Sequence, residues 1–289
     1  MRRELLEDFQ QKYRILIDED RKLLKRDLIE FRKSNLEELD SLKKLAIENF
    51  KKNGIEVISV KSYSEARDEL RKFINKGEKV VKSKSNCVNR IQLENYIKDA
   101  DICETDLGDF VSKIMGTHDE HPVLPSLSLK SADIAKKLEE FSGEKIKPEP
   151  NKIALFVRKF LRKKINEADI GLTGANLITA DGEIILLENE GNISLVSRIP
   201  DTHIAVTSVG KLVKNSIEAV KVTQALAHWG TGQNRASYIN IISGPSKSAD
   251  IENKVITGAQ GAKKVILIII DDRGSYPDEI FNEINKCIN

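Results

Sequence analysis

The sequence contains only three cysteines, Cys87, Cys103 and Cys287, too widely spaced for a disulfide framework or for the close ligand spacing of a metal cluster. It also lacks a long apolar run. The strongest, Val265 to Ile270, has six residues and reads as a buried strand, far below the roughly 20 needed to cross a bilayer. No apolar block follows Met1-Arg2-Arg3-Glu4, so no secretory signal is expected and a cytoplasmic location follows. Charge of one sign is missing as well: 47 basic and 45 acidic side chains leave a net charge of +2, which does not indicate a polyanionic partner. Neither nucleic acid nor membrane is therefore expected among the partners. The clearest basic tract, Lys79 to Lys84, is interrupted by valines and reads as a strand ending in a local lysine cluster. A phosphate loop ending in Gly-Lys-Ser/Thr and a Gly-x-Gly-x-x-Gly turn are both absent, which leaves a nucleotide site without support.

What is present is globular: 40% hydrophobic and 32% charged residues, with modest glycine and proline and no internal repeat. Residues 1–52 hold no Gly or Pro, and Leu23, Leu24, Leu28, Leu36, Leu39, Leu42 and Leu45 recur at helical spacing. Two helices are predicted there, separated by a capping box at Ser34 and Glu37. From Gly54 the texture changes. Ile55–Val60, Lys79–Val81 and Ile102–Glu104 read as strands, with helices over Tyr63–Ile74 and Ile91–Ile97 between them. That alternation predicts βαβ units and a largely parallel sheet. His118–Leu129, with Pro122 and Pro125, reads as an irregular loop, and helical patterns return over Ala132–Phe141 and Ile153–Ile165.

Beyond Ile170, short strands are predicted at Ile178–Ala180, Ile184–Glu188, Ser194–Val196 and His203–Val206, with Asp181-Gly182 as a turn pair. Leu212–Ala227 reads as a helix, Tyr238–Ile242 and Val265–Ile270 as strands, and Pro277–Cys287 as a final short helix. The expected organisation is an N-terminal helical extension, 1–52, on one α/β domain, 53–289.

Candidate chemistry concentrates between Gly171 and His203. Gly171-Leu-Thr-Gly174-Ala-Asn176 combines glycines that permit close backbone approach with an amide that donates and accepts. On the Ile184–Glu188 strand, Glu188 shares a face with Ile184 and Leu186, so it is a carboxylate on an otherwise apolar face. Such a group suits a general base, a nucleophile or an anchor for a polar substrate, and equally a turn or interface role. Glu190, Gly191 and Asn192 follow in a turn whose amides can hold an anion. Lys82, Lys84 and Ser85 stand where an early strand ends, the favoured place for an acid or phosphate in an open α/β sheet; Glu104-Thr105-Asp106 is placed similarly. Ser243, Gly244 and Ser246 form a tight loop after a strand, expected to open a helix with Asp250 near its start. His118 and His121, with Asp119 and Glu120, lack a third nearby ligand, so no metal site is assigned. His203 and His228 read as packing or hydrogen-bonding residues.

Taken in order, Lys82-Ser-Lys-Ser85, Glu104-Thr-Asp-Leu-Gly108, Gly171-Leu-Thr-Gly-Ala-Asn176, Glu188-Asn-Glu-Gly-Asn192, Pro200-Asp-Thr-His-Ile204 and Ser243-Gly-Pro-Ser246 with Ala249-Asp-Ile-Glu252 resemble the lactate utilization (LUD) domain family over roughly residues 55–275. That family occurs in the B and C components of the bacterial L-lactate oxidation system. The resemblance implies a three-layer α/β/α core of the CoA-transferase and ribose-phosphate-isomerase-like type. In that superfamily a glutamate in a Glu-Asn-Gly context serves as a transferase nucleophile, and Glu188-Asn-Glu-Gly stands at that place. B-type proteins continue into a ferredoxin-like, cysteine-rich region that these three cysteines do not reproduce.

The resemblance therefore implies a subunit or accessory protein of lactate-like organic-acid redox metabolism. It would bind a small carboxylate or phosphorylated metabolite, with no cofactor assigned to this chain and an iron–sulfur or flavin group on a redox-protein partner. A homo-oligomer is a further expectation. The alternatives are a CoA-ester transferase or sugar-phosphate isomerase-like enzyme using Glu188, and a non-enzymatic scaffold for a redox complex.

Overall fold

The structure, a computed structural model, describes residues 19–116 and 129–275. The chain opens with α1 (Glu19–Glu37) and α2 (Leu39–Lys52). It then runs through β1 (Glu56–Val60), α3 (Tyr63–Phe73), β2 (Lys79–Lys82), the short α4 (Asn86–Ile91) and α5 (Leu93–Tyr96), β3 (Asp101–Glu104), α6 (Leu107–Met115), α7 (Ser131–Ser142), α8 (Pro150–Asn166) and β4 (Ile170–Gly174). The second half contains β5 (Leu177–Thr179), β6 (Ile184–Glu188), α9 (Asn192–Arg198), β7 (Thr202–Ser208), β8 (Leu212–Val213) and α10 (Ser216–Ala225). A π-helical turn at Leu226–Gly230, β9 (Tyr238–Ile242), the β10 (Lys247–Ser248) and β11 (Ile256–Thr257) hairpin and β12 (Lys264–Ile270) complete it.

Six strands form one parallel sheet in the order β1-β12-β7-β4-β2-β3. Its central members are continuously apolar because both faces are covered, as β12 shows with every residue from Val265 to Ile270 buried. Ala66 and Leu70 of α3, Val88 and Ile91 of α4 and Leu93 of α5 pack on one face against Ile204, Ile266 and Ile268. The other face is shared. Near β2 and β3 it carries α6, α7 and α8; near β12 and β7 it carries α2 and a four-stranded sheet ordered β8-β5-β6-β9. The expected three-layer α/β/α arrangement is thus present, with a small sheet built into one layer.

The alternation along β5 and β6 explains that small sheet. Ile178, Ile184 and Leu186 face the large sheet, whereas Leu177 and Ile185 face outward and are covered by Leu28 of α1 and by Ala219 and Val222 of α10. The two N-terminal helices consequently contribute core: Phe50 and Leu28 are fully buried, and each such side chain contributes about 1.5–3 kcal/mol over an exposed one.

Several local expectations change. No capping box separates α1 from α2: Ser34 lies inside α1, its carbonyl accepting from Glu38 N–H, and the break falls at Glu38. Ile91–Ile97 is two helices, because Gln92 adopts φ 55° between them. Ser194–Val196 is helical, not extended, since Gly191 at φ 84° turns the chain directly into α9. Leu212 and Val213 pair with β5, and the helix starts only after Asn215, whose side chain caps Glu218 N–H. Gly171–Gly174 is a central strand. No helix follows Ser246; residues 247–257 fold back as a hairpin, with Glu252 and Asn253 at positive φ in its turn. The predicted helix at Pro277–Cys287 and the histidines His118 and His121 lie outside the described residues.

Candidate functional site

Strand order places the site. From the boundary between β2 and β4, the chain proceeds outward through β4, β7 and β12 in one direction and through β2 and β3 in the other. Loops diverge at such a switch point and leave a crevice at the carboxyl ends of its strands. Lys82, Lys84, Ser85 and Gly174 all lie there.

The contact between β4 and the β2–α4 loop is tight. A Cβ on Gly174 would stand 1.8 Å from Ser85 Oγ, so glycine is required for Ser85 to sit against the strand. Ser85 caps α4, its hydroxyl accepting from Val88 N–H at 3.4 Å. Lys84 Nζ meets Asp109 Oδ1 at 2.9 Å, tying the loop to the first turn of α6.

Lys82 is 6% exposed and Glu104 8%. They are in register on β2 and β3, so both side chains project to the same face, where they form an ion pair. Lys82 Nζ also donates to Asn89 Oδ1 at 2.7 Å. Glu104 Oε2 is buried without a hydrogen-bond partner among the described residues. Desolvation pushes the Glu104 carboxyl up to about 7; Lys82 opposes that rise, and Asp109 and Glu94 add to it. The pair lines a cleft of about 490 Å³ together with Asn89, Gln92, Asp109 and Lys113. A buried cation held by a carboxyl that exchanges its proton near neutrality can accept an anion in that carboxylate's place.

The Glu188–Asn192 turn borders this crevice from β6. Asn192 Nδ2 donates to Thr105 O at 3.1 Å. Glu190 as a residue is exposed, yet its carboxyl sits against the first turn of α6 and is raised above its ordinary value. Local desolvation and the Asp106 carboxylate do this, opposed by a hydrogen bond from the Leu107 amide. Glu188 is buried and engaged: its two oxygens accept from Ser194 N–H at 3.0 and 3.1 Å, and Oε1 accepts from Asn240 Nδ2 at 3.0 Å. Asn240 Oδ1 in turn accepts from Arg198 at 2.7 Å. Glu188 thus binds a free N–H of the first turn of α9 and pins β6 to β9. Asn176 is used similarly, its Oδ1 accepting from Leu187 N–H at 2.9 Å.

The remaining candidates lie elsewhere. Ser246 N–H donates to Ala262 O at 3.0 Å just before β12 begins, and a Cβ on Gly244 would stand 2.5 Å from Asn53 O. Ser243, Gly244 and Ser246 therefore sit at the amino-terminal edge of the sheet, opposite Lys82. Asp250 accepts from Ser248 Oγ at 2.7 Å in the exposed hairpin turn. His203 is fully buried, bonded through Nε2 to Thr173 Oγ1 at 2.8 Å, and burial lowers it to about 4. His228 Nδ1 meets Gln233 O at 3.2 Å.

Asn89, Asp109 and Lys113 belong to the cleft without having been singled out in the sequence. Asn89 lies one strand-to-helix turn beyond Lys82, and the other two lie on α6 after a crossover, so no short motif joins them. Among the described residues, no cluster of three or more His, Cys, Asp or Glu is arranged to hold a metal ion, and no helix is long and apolar enough to cross a membrane.

The profile of the LUD domain family matches residues 43–270, which span the large sheet, the cleft and the Glu188 turn. Lactate utilization protein B of Bacillus subtilis (strain 168) is 33% identical over 267 residues, covering 90% of this chain and 54% of that protein. The protein of the same name from Geobacillus sp. (strain WCH70) is 32% identical with the same coverage. The chain thus spans about half the length of the curated relatives it matches. A crystal structure of a DUF162 family protein from Deinococcus radiodurans overlays 80% of this chain and 98% of its own, with a TM-score of 0.45 and 15% identity. The chain belongs to the LUD domain family.

Proposed function

We propose that this chain is a subunit or accessory protein of lactate-type organic-acid redox metabolism, binding a small carboxylate such as lactate or pyruvate in the cleft at Lys82 and Glu104. Electron transfer is supplied by a partner carrying an iron–sulfur or flavin group. The observation that carries the reading is the buried Lys82–Glu104 pair opening onto a cleft at the carboxyl ends of β2 and β3, beside the switch point. The name borne by the relatives supports lactate as the first acid to test.

An incoming carboxylate takes the place of Glu104 beside the Lys82 ammonium, and Glu104 takes up a proton as its charge is displaced. The buried cation stays paired throughout, which matters because an unpaired buried charge is strongly destabilising. Lys84 and Asp109 hold the β2–α4 loop, and Glu188 positions α9 without reacting.

Calorimetry of the full chain with L-lactate, pyruvate and acetate at pH 6 and pH 8 tests this. Binding should weaken as pH rises through about 7. Glu104→Gln should bind with little pH dependence, and Lys82→Met should lose binding. Absence of binding at both pH values, or an unchanged pH slope in Glu104→Gln, refutes the site.

A further inference from the structure

A second cleft, of about 590 Å³, lies along the outer edge of β3, unpaired among the described residues, under α6, α7 and α8. Its volume falls within the roughly 300–1,000 Å³ typical of small-molecule sites. Phe110, Phe141 and Phe160 form its apolar wall. Phe110 and Phe160 are tilted by 32° at 5.2 Å, and Phe141 stands edge-on to both, at 80° and 74°. Phe141 remains 51% exposed although it belongs to this cluster. A large ring left open beside two others presents a face and an edge to an incoming flat group, the two geometries aromatic rings prefer.

The rim carries three lysines. Lys113, Lys137 and Lys164 line it, each held by a single carboxylate: Glu94 at 2.8 Å, Glu140 at 3.0 Å and Asp101 at 2.7 Å. Ion pairs this exposed hold weakly and yield readily to a ligand anion. The three lysines are balanced by Glu94, Glu140 and Asp101, while Glu104, also in the lining, is held toward its neutral form by burial. Glu104 lines both clefts, and its buried Oε2 lacks a partner among the described residues.

Backbone donors are present too. Asp101 N–H and Thr105 N–H donate to Glu78 and Lys82 carbonyls on the β2 side. By strand alternation, the N–H groups of Ile102 and Glu104 turn to the outer edge along which the cleft runs.

We propose that this cleft binds a flat aromatic anion, with the ring against Phe110, Phe141 and Phe160 and the acidic group among Lys113, Lys137 and Lys164. An aliphatic acid lacks the flat face the phenylalanines require, and a neutral aromatic leaves the lysine rim unused. The site adjoins the Lys82 cleft and shares Glu104 and Lys113 with it, but its aromatic wall is its own, so its failure or success is read by a different ligand.

The test is calorimetry of the full chain with 2-naphthoate, with cyclohexanecarboxylate as the non-aromatic control and L-lactate as the probe of the other cleft. Saturable naphthoate binding roughly ten-fold tighter than cyclohexanecarboxylate is expected. Phe141→Ala, a change at a half-exposed position, should weaken naphthoate about ten-fold while leaving any lactate binding unchanged. The double variant Lys137→Gln/Lys164→Gln should weaken it and flatten its salt dependence. No saturable naphthoate binding by the full chain overturns the proposal. So does an affinity within about two-fold of wild type in a Phe141→Ala protein whose circular dichroism matches the parent. Naphthoate binding without lactate binding would leave this site standing and the Lys82 site refuted.

Discussion

Replacing Gly174 by alanine tests the tightest contact at the switch point. The added Cβ would stand 1.8 Å from Ser85 Oγ and 2.5 Å from Ser85 Cβ, with Ser85 Cα at 3.8 Å. Rotating the serine relieves the first contact but leaves the second, so the β2–α4 loop itself must move. Overpacking of this kind costs about 1–3 kcal/mol, and loss of the Ser85 cap on α4 adds about 1 kcal/mol, for a total of roughly 2–4 kcal/mol. Ser85→Gly alone should cost only a few tenths of a kcal/mol, because glycine is a tolerable N-cap. In Gly174→Ala/Ser85→Gly both short contacts vanish, and the double variant should be nearly as stable as Ser85→Gly. Ser85→Ala keeps the Cβ contact and should rescue only in part. Urea denaturation of the four proteins at a shared m-value gives the cycle. Additivity of the two single effects within about 0.5 kcal/mol would refute the packing argument.

Glu104 predicts a pH dependence of stability. Its folded value, about 7, lies above the ordinary 4.5, so the folded state binds the proton more tightly than the unfolded chain. Its stabilising contribution is complete below about pH 4.5 and is lost as pH rises through about 7. Relative to Glu104→Gln, the wild type should lose up to roughly 3 kcal/mol across that window and nothing more above it; parallel stability curves would contradict the assignment. Glu188→Gln should destabilise by about 1 kcal/mol: its oxygen can still accept from Ser194 N–H and Asn240 Nδ2, but the carboxylate's charge and its second contact to Ser194 N–H are lost. Mass spectrometry after incubation with acyl-CoA esters should detect no adduct at Glu188, and a trapped thioester there would favour the transferase reading instead.

The glycines at 171 and 174 show where local pattern misleads. They read as candidate site glycines open to close backbone approach, yet both lie within β4 and it is other elements of the chain that approach them. Glycine is needed at 171 because a Cβ would meet the Val196 carbonyl at 1.8 Å, and at 174 because of Ser85. Each reason resides in a residue on another element. Ser194–Val196 misled in the same way. A short apolar run has no period of its own to identify it, and the helix depends on Gly191 turning the chain and on Glu188 binding Ser194 N–H.

By itself, the order of residues determined the alternation of strands and helices, the Asp181-Gly182 turn, the β6 and β9 strands, and the position of Glu188 as the lone carboxylate on an apolar face. Those features follow from side-chain period and turn chemistry, which act within a few residues. Tertiary structure alone decided which carboxylates face a cleft and which serve as ties. Glu188, conspicuous in sequence, accepts hydrogen bonds from Ser194 N–H and Asn240. Glu104, noted in sequence only for its place at a strand end, becomes a buried partner of Lys82 because β2 and β3 pair in register beside the switch point. Burial and pairing set the chemistry of a carboxyl group, and both depend on elements far apart along the chain.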